Sequence, residues 1–403
     1  MTAHALPYDN RRGTAVRWLR EHLFASKQDG LITIVTLSVV GFGVFRALEW
    51  VLLTAKWSVI HSNFRLLLVG RFPAGEEWRI YVPVLLAVAL AGLSLGILRG
   101  ISKTTLVVGA LITLVLGRFA SAEVLPYVLG GSGLFFGGLA VGWPVARTVR
   151  LRRWVLRLVV LGWFAVMPLA LALLVLFGGV PVERWGGLYL NLIVTGAGAM
   201  GALPIGIVIA LGRRSQYRVI RACCSTCVEV ARGLPLMVVL ILSWLAIQQF
   251  LPSLWGINQV GLVPRILAAY ILFTAVYVAV CVSGGLNALP KGQSEAAAAL
   301  GLTGFQSTRH VLLPQAMRRA LPALVGELID LLMASTLVSV LGLTDVLAAA
   351  RATTEQPAFF GRQKEVLLFV GAVFWVTAFS LSRLGRVAER ALAPREAGGQ
   401  VQR

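Results

Sequence analysis

The sequence predicts an all-α integral membrane protein with about ten membrane-spanning helices, and three observations carry that prediction. Hydrophobic residues make up 58% of the 403-residue chain and charged residues only 13%, a balance outside the range of soluble domains. The apolar residues are gathered into runs of about 20, the length a helix needs to cross the hydrocarbon core. The basic residues behind the net charge of +20 sit mainly between those runs, where they act as orientation signals. In a soluble chain such a surplus would suggest nucleic acid. In one this apolar it points to membrane topology, and no nucleic-acid partner is expected.

In order, the runs centre in 31–53, 80–98, 104–117, 125–146, 155–178, 188–211, 234–251, 262–285, 320–343 and 365–384. The third is the shortest. Placing alternate connections on opposite sides, from a cytoplasmic N-terminus, puts 26 of the 37 Lys and Arg inside and 10 outside, with Arg46 in a span. That asymmetry predicts that both termini are cytoplasmic. Residues 1–30 then form a basic cytoplasmic lead-in and 31–187 an extension of about five spans. Residues 188–384 hold five more, and 385–403 form a cytoplasmic tail.

The lead-in contains TAVRWLREHLFAS, which can lie along a membrane surface or be solvated. Residues 1–30 lack the short apolar region and small-residue cleavage site of a secretory leader, so no cleavable signal is expected. Trp57, Phe64, Phe72 and Trp78 mark 54–79 as a connection that associates with the interface. Gly133 and Gly137, and again Gly138 and Gly142, have the spacing that permits close helix approach. The densest basic block, RTVRLRRWVLR at 147–157, reads as an orientation signal in preference to a lipid headgroup site. Cys223, Cys224 and Cys227 lack a fourth ligand for zinc and read as small buried or interfacial side chains.

A polar gap at 286–319 interrupts the second set of spans, and within it lies EAAAALGLTGFQSTRHVLLP, residues 295–314. Ser294 is placed to cap a helix built on Ala296 to Ala299. Gly301 lets the chain leave that helix left-handed, and Pro314 marks the next stop. The result is two short helices with a break, smooth enough for another protein to approach closely.

Glu295, Ala296, Ala297, Gly301, Val311, Leu313 and Pro314 have the spacing of the EAA loop of bacterial ABC importer permeases, which this stretch resembles. Val311 stands where Ile is usual. LYLNLIVTGAGAMGALPIGIVIALGRRS, CVEVARGLPLMVVL and STLVSVLGL resemble the polar amino-acid permeases of that group. VRWLREHLF and LLLVGRFPAGEEWRI are similar to the longer, M-type permease subunits of general L-amino-acid importers. The resemblance implies a five-helix permease core over 188–384 in the bacterial inner membrane, surrounded by membrane lipid. It also implies a second related permease, an ABC ATPase dimer joined through the loop, and a periplasmic or extracytoplasmic binding protein. ATP and Mg would belong to the ATPase. No glycine-rich loop ending in Lys-Ser or Lys-Thr occurs here, so no cofactor and no enzymatic activity are expected in this chain.

The chain departs from that family where substrate is concerned. Polar amino-acid permeases usually carry Ala-Glu-x-x-Arg-Gly-Gly before the loop, and this chain has Ala279-Val280-Cys281-Val282-Ser283-Gly284-Gly285. After the loop, Met333-Ala334-Ser335-Thr336 replaces the usual Lys-Asp-Thr-Ser/Thr. The substrate path implied by the resemblance therefore consists of Val280, Ser283, Asp330, Ser335, Thr336 and Ser339, and its expected cargo is neutral or broad-range L-amino acids. Another small polar solute is the alternative. A secondary transporter is the reading from a different class, and inverted repeats with broken helices would mark it. All four histidines lie outside the spans, and no nucleophile–base pair lies within them, against intramembrane chemistry. Of the acids in spans, Glu49 is placed to pair with Arg46. Glu327 and Asp330 share a helix face, with Asp330 roughly 13 Å along its helix from the inner end. A carboxylate at that depth should face the bundle or a wet cavity.

Overall fold

The computed structural model describes residue 18 and residues 21–176, 178–255 and 261–392. The start of the basic lead-in and the tail from residue 393 fall outside them. Every regular element among the described residues is helical. An isolated bridge joins Gly187 to Asp345. The chain forms two units, one ending at Trp57 and the other running from Ser58.

The first unit is built on α1, Lys27–Glu49, which continues through a π turn at Trp50–Thr54. Ser26 caps it by accepting from the Asp29 N–H at 3.1 Å. Arg46 and Glu49 form the expected ion pair at 2.6 Å. None of the α1 residues is buried in the chain, so its apolar face all round is left to lipid or to another subunit.

The second unit begins with α2, Ser58–Val69, and α3, Trp78–Ile97, followed by α4, Lys103–Phe119, α5, Leu125–Val145, and α6, Val149–Val175. Phe64 and Phe72, read from sequence as interfacial, are each 1% exposed. They belong to the protein interior because α2 folds back as a helix. The loop that follows is pinned by ion pairs, Arg65 to Glu77 at 2.5 Å and Arg79 to Glu76 at 2.8 Å. Arg79 also donates to the Leu173 and Leu176 carbonyls, tying α3 to the end of α6.

Lipid removes most of the hydrophobic drive between spanning helices, so close backbone approach must hold them. Gly92 and Gly96 of α3 face Gly138 and Gly142 of α5. A Cβ on Gly142 would lie 2.8 Å from the Gly96 Cα, and one on Gly138 2.8 Å from the Leu93 nitrogen. Gly133 and Gly137 face open space. Only the second of the two glycine pairs is therefore used for packing.

The remaining helices are α7, Gly187–Gly212, α8, Arg218–Arg232, α9, Leu236–Trp255, and α10, Leu262–Asn287. Two short loop helices follow, α11, Gly292–Ala299, and α12, Gly304–Ser307. Last come α13, Leu313–Ala334, α14, Val346–Thr354, and α15, Gln363–Leu392. The core pair is α7 with α10. Gly201 and Gly206 of α7 admit Ile271 and the Ala275 carbonyl, where a Cβ would sit within 2.8 Å. Tyr189, Leu190, Ile193, Ile266, Tyr270 and Leu331 complete one buried cluster among α7, α10 and α13.

Each of the ten apolar runs falls on a helix, but eight are long and apolar enough to cross a membrane alone. A ninth arises if α8 and the first part of α9, bent by 103° at Gly233–Pro235, count as one span. The run at 104–117 is α4, whose 17 residues reach about 25 Å, short of the ~30 Å hydrocarbon core.

Candidate functional site: a polar loop feeding a long helix

The polar gap folds as a compact helical loop. Its first helix starts after Lys291, which occupies the N-cap position without a side-chain cap, and Ser294 lies inside the first turn, donating to the Lys291 carbonyl at 2.7 Å. The sequence-based placement of Ser294 as the cap is corrected by three residues. The helix ends in a Schellman turn: the Leu302 N–H reaches the Ala297 carbonyl at 3.1 Å and the Gly301 N–H that of Ala298 at 2.9 Å. Gly301 takes φ +75°, the left-handed conformation such a turn requires. Thr303 and Gln306 then form a reciprocal capping box.

Pro314 is not a stop. It lies in the first turn of α13, where its missing N–H costs nothing and its fixed φ suits the helix. The second loop helix passes through a π turn, Thr308–Leu312, directly into α13. The long helix thus begins at Leu313 instead of near 320. From there Asp330 is about 26 Å along the axis, not the shorter distance expected. Gln315 donates to Gln293 at 3.0 Å, bracing the two arms of the loop. Arg319 donates to the carbonyl of Ala288 at the end of α10.

The loop residues divide by exposure. Glu295, Ala296, Gly301 and Pro314 are exposed, Val311 and Leu313 half-buried, and Ala297 buried. Leu300 at 81% and Phe305 at 72% exposed flank the Gly301 turn. The sequence reading passed over both, because a lone Leu or Phe between polar residues carries no signal until its exposure is known. Ala316 presses on Gly285 of α10 so closely that a Cβ there would meet the Ala316 carbonyl. The loop is therefore set rigidly on α10 and α13.

The residues of the implied substrate path are dispersed. Val280 is half-buried against the α7–α10 interior. Ser283 is half-buried and its Oγ has no hydrogen-bond partner. Asp330 is exposed on α13 and Glu327 half-buried. Asp330 is thus not packed into the interior of this chain.

Beyond α13 the chain tightens into a 3-10 segment, Ser335–Leu341. Thr336 is half-buried and donates to the Met333 carbonyl, while half-buried Ser339 donates to that of Thr336. Ser335 is fully buried, donating to the Leu332 carbonyl and accepting from Asn191 at 3.0 Å. It belongs to a clamp with Asn191 and Asp345. Both of these are 0% exposed, and neither was singled out from sequence.

A polar loop carried by long apolar helices defines an all-α, multi-pass membrane protein. Residues 202–394 match the family described as "Binding-protein-dependent transport system inner membrane component". The chain is 30% identical over 399 residues to the inner membrane amino-acid ABC transporter permease protein YhdY of Escherichia coli K12, covering 95% of each chain. It is 32% identical over 416 residues, 94% of each chain, to the glutamate/glutamine/aspartate/asparagine transport system permease protein BztC of Rhodobacter capsulatus. Among solved structures it resembles an amino acid ABC transporter crystallised with histidines, at 32% identity and a TM-score of 0.45, covering 51% of this chain and 91% of that one. The chain belongs to the inner-membrane permease family of ABC amino-acid importers and is one of its members with a long N-terminal extension.

Proposed function

We propose that this permease forms half of an amino-acid translocation path, beside a second related permease. Its 286–319 loop docks into a separate ATPase that supplies ATP hydrolysis. The observation that carries this reading is the loop's surface, where exposed Leu300 and Phe305 flank the Gly301 turn on a segment continuous with α13. Closure of the ATPase would move that surface and, through α13, the helices around the path. A binding protein outside the membrane delivers the substrate.

The cargo is neutral or broad-range L-amino acids, because Val280 and Ser283 offer no charge to a substrate's charged groups. Asp330, exposed on this chain, faces the second permease or the cavity shared with it. Uptake of labelled neutral, acidic and basic amino acids by cells with and without the chain tests the cargo. Uptake of lysine or arginine above all others would refute it, and failure of the chain to co-purify with an ATPase would refute the docking. Both termini are placed in the cytoplasm. A reporter fused after Arg152 should read cytoplasmic and one near Glu183 periplasmic, and the opposite pair of results overturns this orientation.

A further inference from the structure

Where α3 ends, the chain makes a tight turn against the last part of α15. Arg99 takes φ +54°, the one non-glycine residue with a positive φ among the described residues. Such a conformation is uncommon for a residue with a Cβ and persists only where surroundings enforce it. Gly100 admits Val387, which would lie 2.7 Å from a Cβ at that position. The turn and α15 enclose a pocket of about 150 Å³ lined by Arg99, Ser102, Arg383 and Arg390, with no carboxylate in its wall.

Arg383 donates to Ser102 at 2.6 Å, yet its Nε is buried without a hydrogen-bond partner. No ion pair among the described residues engages any of the three arginines. Ser102 is the N-cap of α4, so the positive end of that helix adds to the same field. Three guanidinium forks around one small space suit a phosphate, which they can bind bidentately. Ile101 also lines a second, apolar cleft of about 450 Å³, with Leu106, Phe136, Leu139 and Trp143. Leu106 and Trp143 are 43% and 45% exposed. α15 returns toward the side of the membrane from which α13 departs, so both cavities lie on the side of the polar loop.

We propose that this paired site binds an anionic phospholipid, its phosphate among Arg99, Arg383 and Arg390 and an acyl chain along the cleft at Trp143. A free phosphate would satisfy the arginines but leave the cleft empty, and a zwitterionic lipid would fill the cleft but bring a cation to the arginines. Basic pockets between spanning helices are suited to such headgroups.

The test is native mass spectrometry of the full chain in detergent, titrated with phosphatidylglycerol or with phosphatidylcholine of the same acyl chains. Wild type should retain phosphatidylglycerol preferentially. Arg390→Gln, at an exposed position with little risk to folding, should lower that retention roughly fivefold, and Arg383→Gln should add a similar loss. Arg153→Gln, in the separate basic block, should leave it unchanged. Trp143→Ala should weaken retention of both lipids while leaving the preference for phosphatidylglycerol unchanged. Equal retention of the two lipids by wild type, or unchanged retention in Arg390→Gln, overturns the proposal. So does displacement of phosphatidylglycerol by millimolar inorganic phosphate, which would mark a soluble-anion site. The wild-type comparison stands even if a variant fails to fold.

Discussion

Asn191 commits both ends of its amide to the turn that begins at Asp345. Its Nδ2 donates to Asp345 Oδ2 at 3.2 Å, and its Oδ1 accepts from the Val346 N–H at 3.1 Å. The same Nδ2 reaches Ser335, and Asp345 Oδ1 accepts from the Ala348 N–H at 2.9 Å. The Gly187 N–H meets the Thr344 carbonyl at 2.8 Å beside them. The start of α7 and the end of the 3-10 segment are thereby locked together.

Asn191→Ala should lower stability by about 3 kcal/mol, because the buried Asp345 carboxyl loses its Oδ2 partner and the buried Val346 N–H loses its acceptor. Thermal unfolding of the purified chain measures this, and an unchanged midpoint would mean the clamp carries little. Burial pushes the Asp345 carboxyl above its ordinary range, against the lowering effect of the Ala348 N–H and Asn191. The folded state therefore holds the proton more tightly than the unfolded one. That contribution is complete below about pH 3.9 and is lost as pH rises through the raised value. Asp345→Asn should flatten this part of the stability profile.

Gly301→Asp should insert normally yet lose ATP-driven uptake. Nothing lies within 4 Å of a Cβ at this position, so the damage is not a clash. A non-glycine residue at φ +75° strains the turn by about 1 kcal/mol, and the new charge sits beside Leu300 and Phe305. Uptake at the wild-type level by a normally expressed variant would show that this turn is not a coupling surface.

Gly142→Val should force α3 and α5 apart and cost about 1–3 kcal/mol, whereas Gly137→Val should be nearly silent. Comparing the unfolding midpoints of the two variants separates a packing surface from a mere spacing of glycines. Equal effects would refute the assignment.

Ser283→Ala should reduce uptake by less than about tenfold, the scale of one neutral hydrogen bond. It should not destabilise the chain, since the hydroxyl has no partner to lose. Val280→Glu with Ser283→Arg should move preference toward charged amino acids or block transport. Abolished uptake in Ser283→Ala at normal expression would give that hydroxyl a larger part than proposed.

The spanning helices were legible because lipid demands long apolar runs, which no tertiary contact is needed to see. Pro314 misled because the same residue that ends one helix is tolerated in the first turn of the next, and only the path of the chain decides which. The Asn191–Asp345 clamp joins residues 154 positions apart and leaves no local trace. Of two identical glycine spacings in α5, the one in use is revealed by its partners, Gly92 and Gly96, on another helix. For Asp330, depth could be read from sequence position and direction could not.

From Gly304 to Leu341 the chain runs as one 38-residue helical stretch from the polar loop to the opposite side. At about 1.5 Å per residue it is a rod of roughly 55 Å. Tilted by about 5° around its loop end, a rod of that length sweeps its far tip by about 5 Å, close to one helical pitch. If the loop couples to an ATPase as proposed, a small rotation at Thr308–Leu312 would be magnified at the far end of this rod without any helix having to unwind.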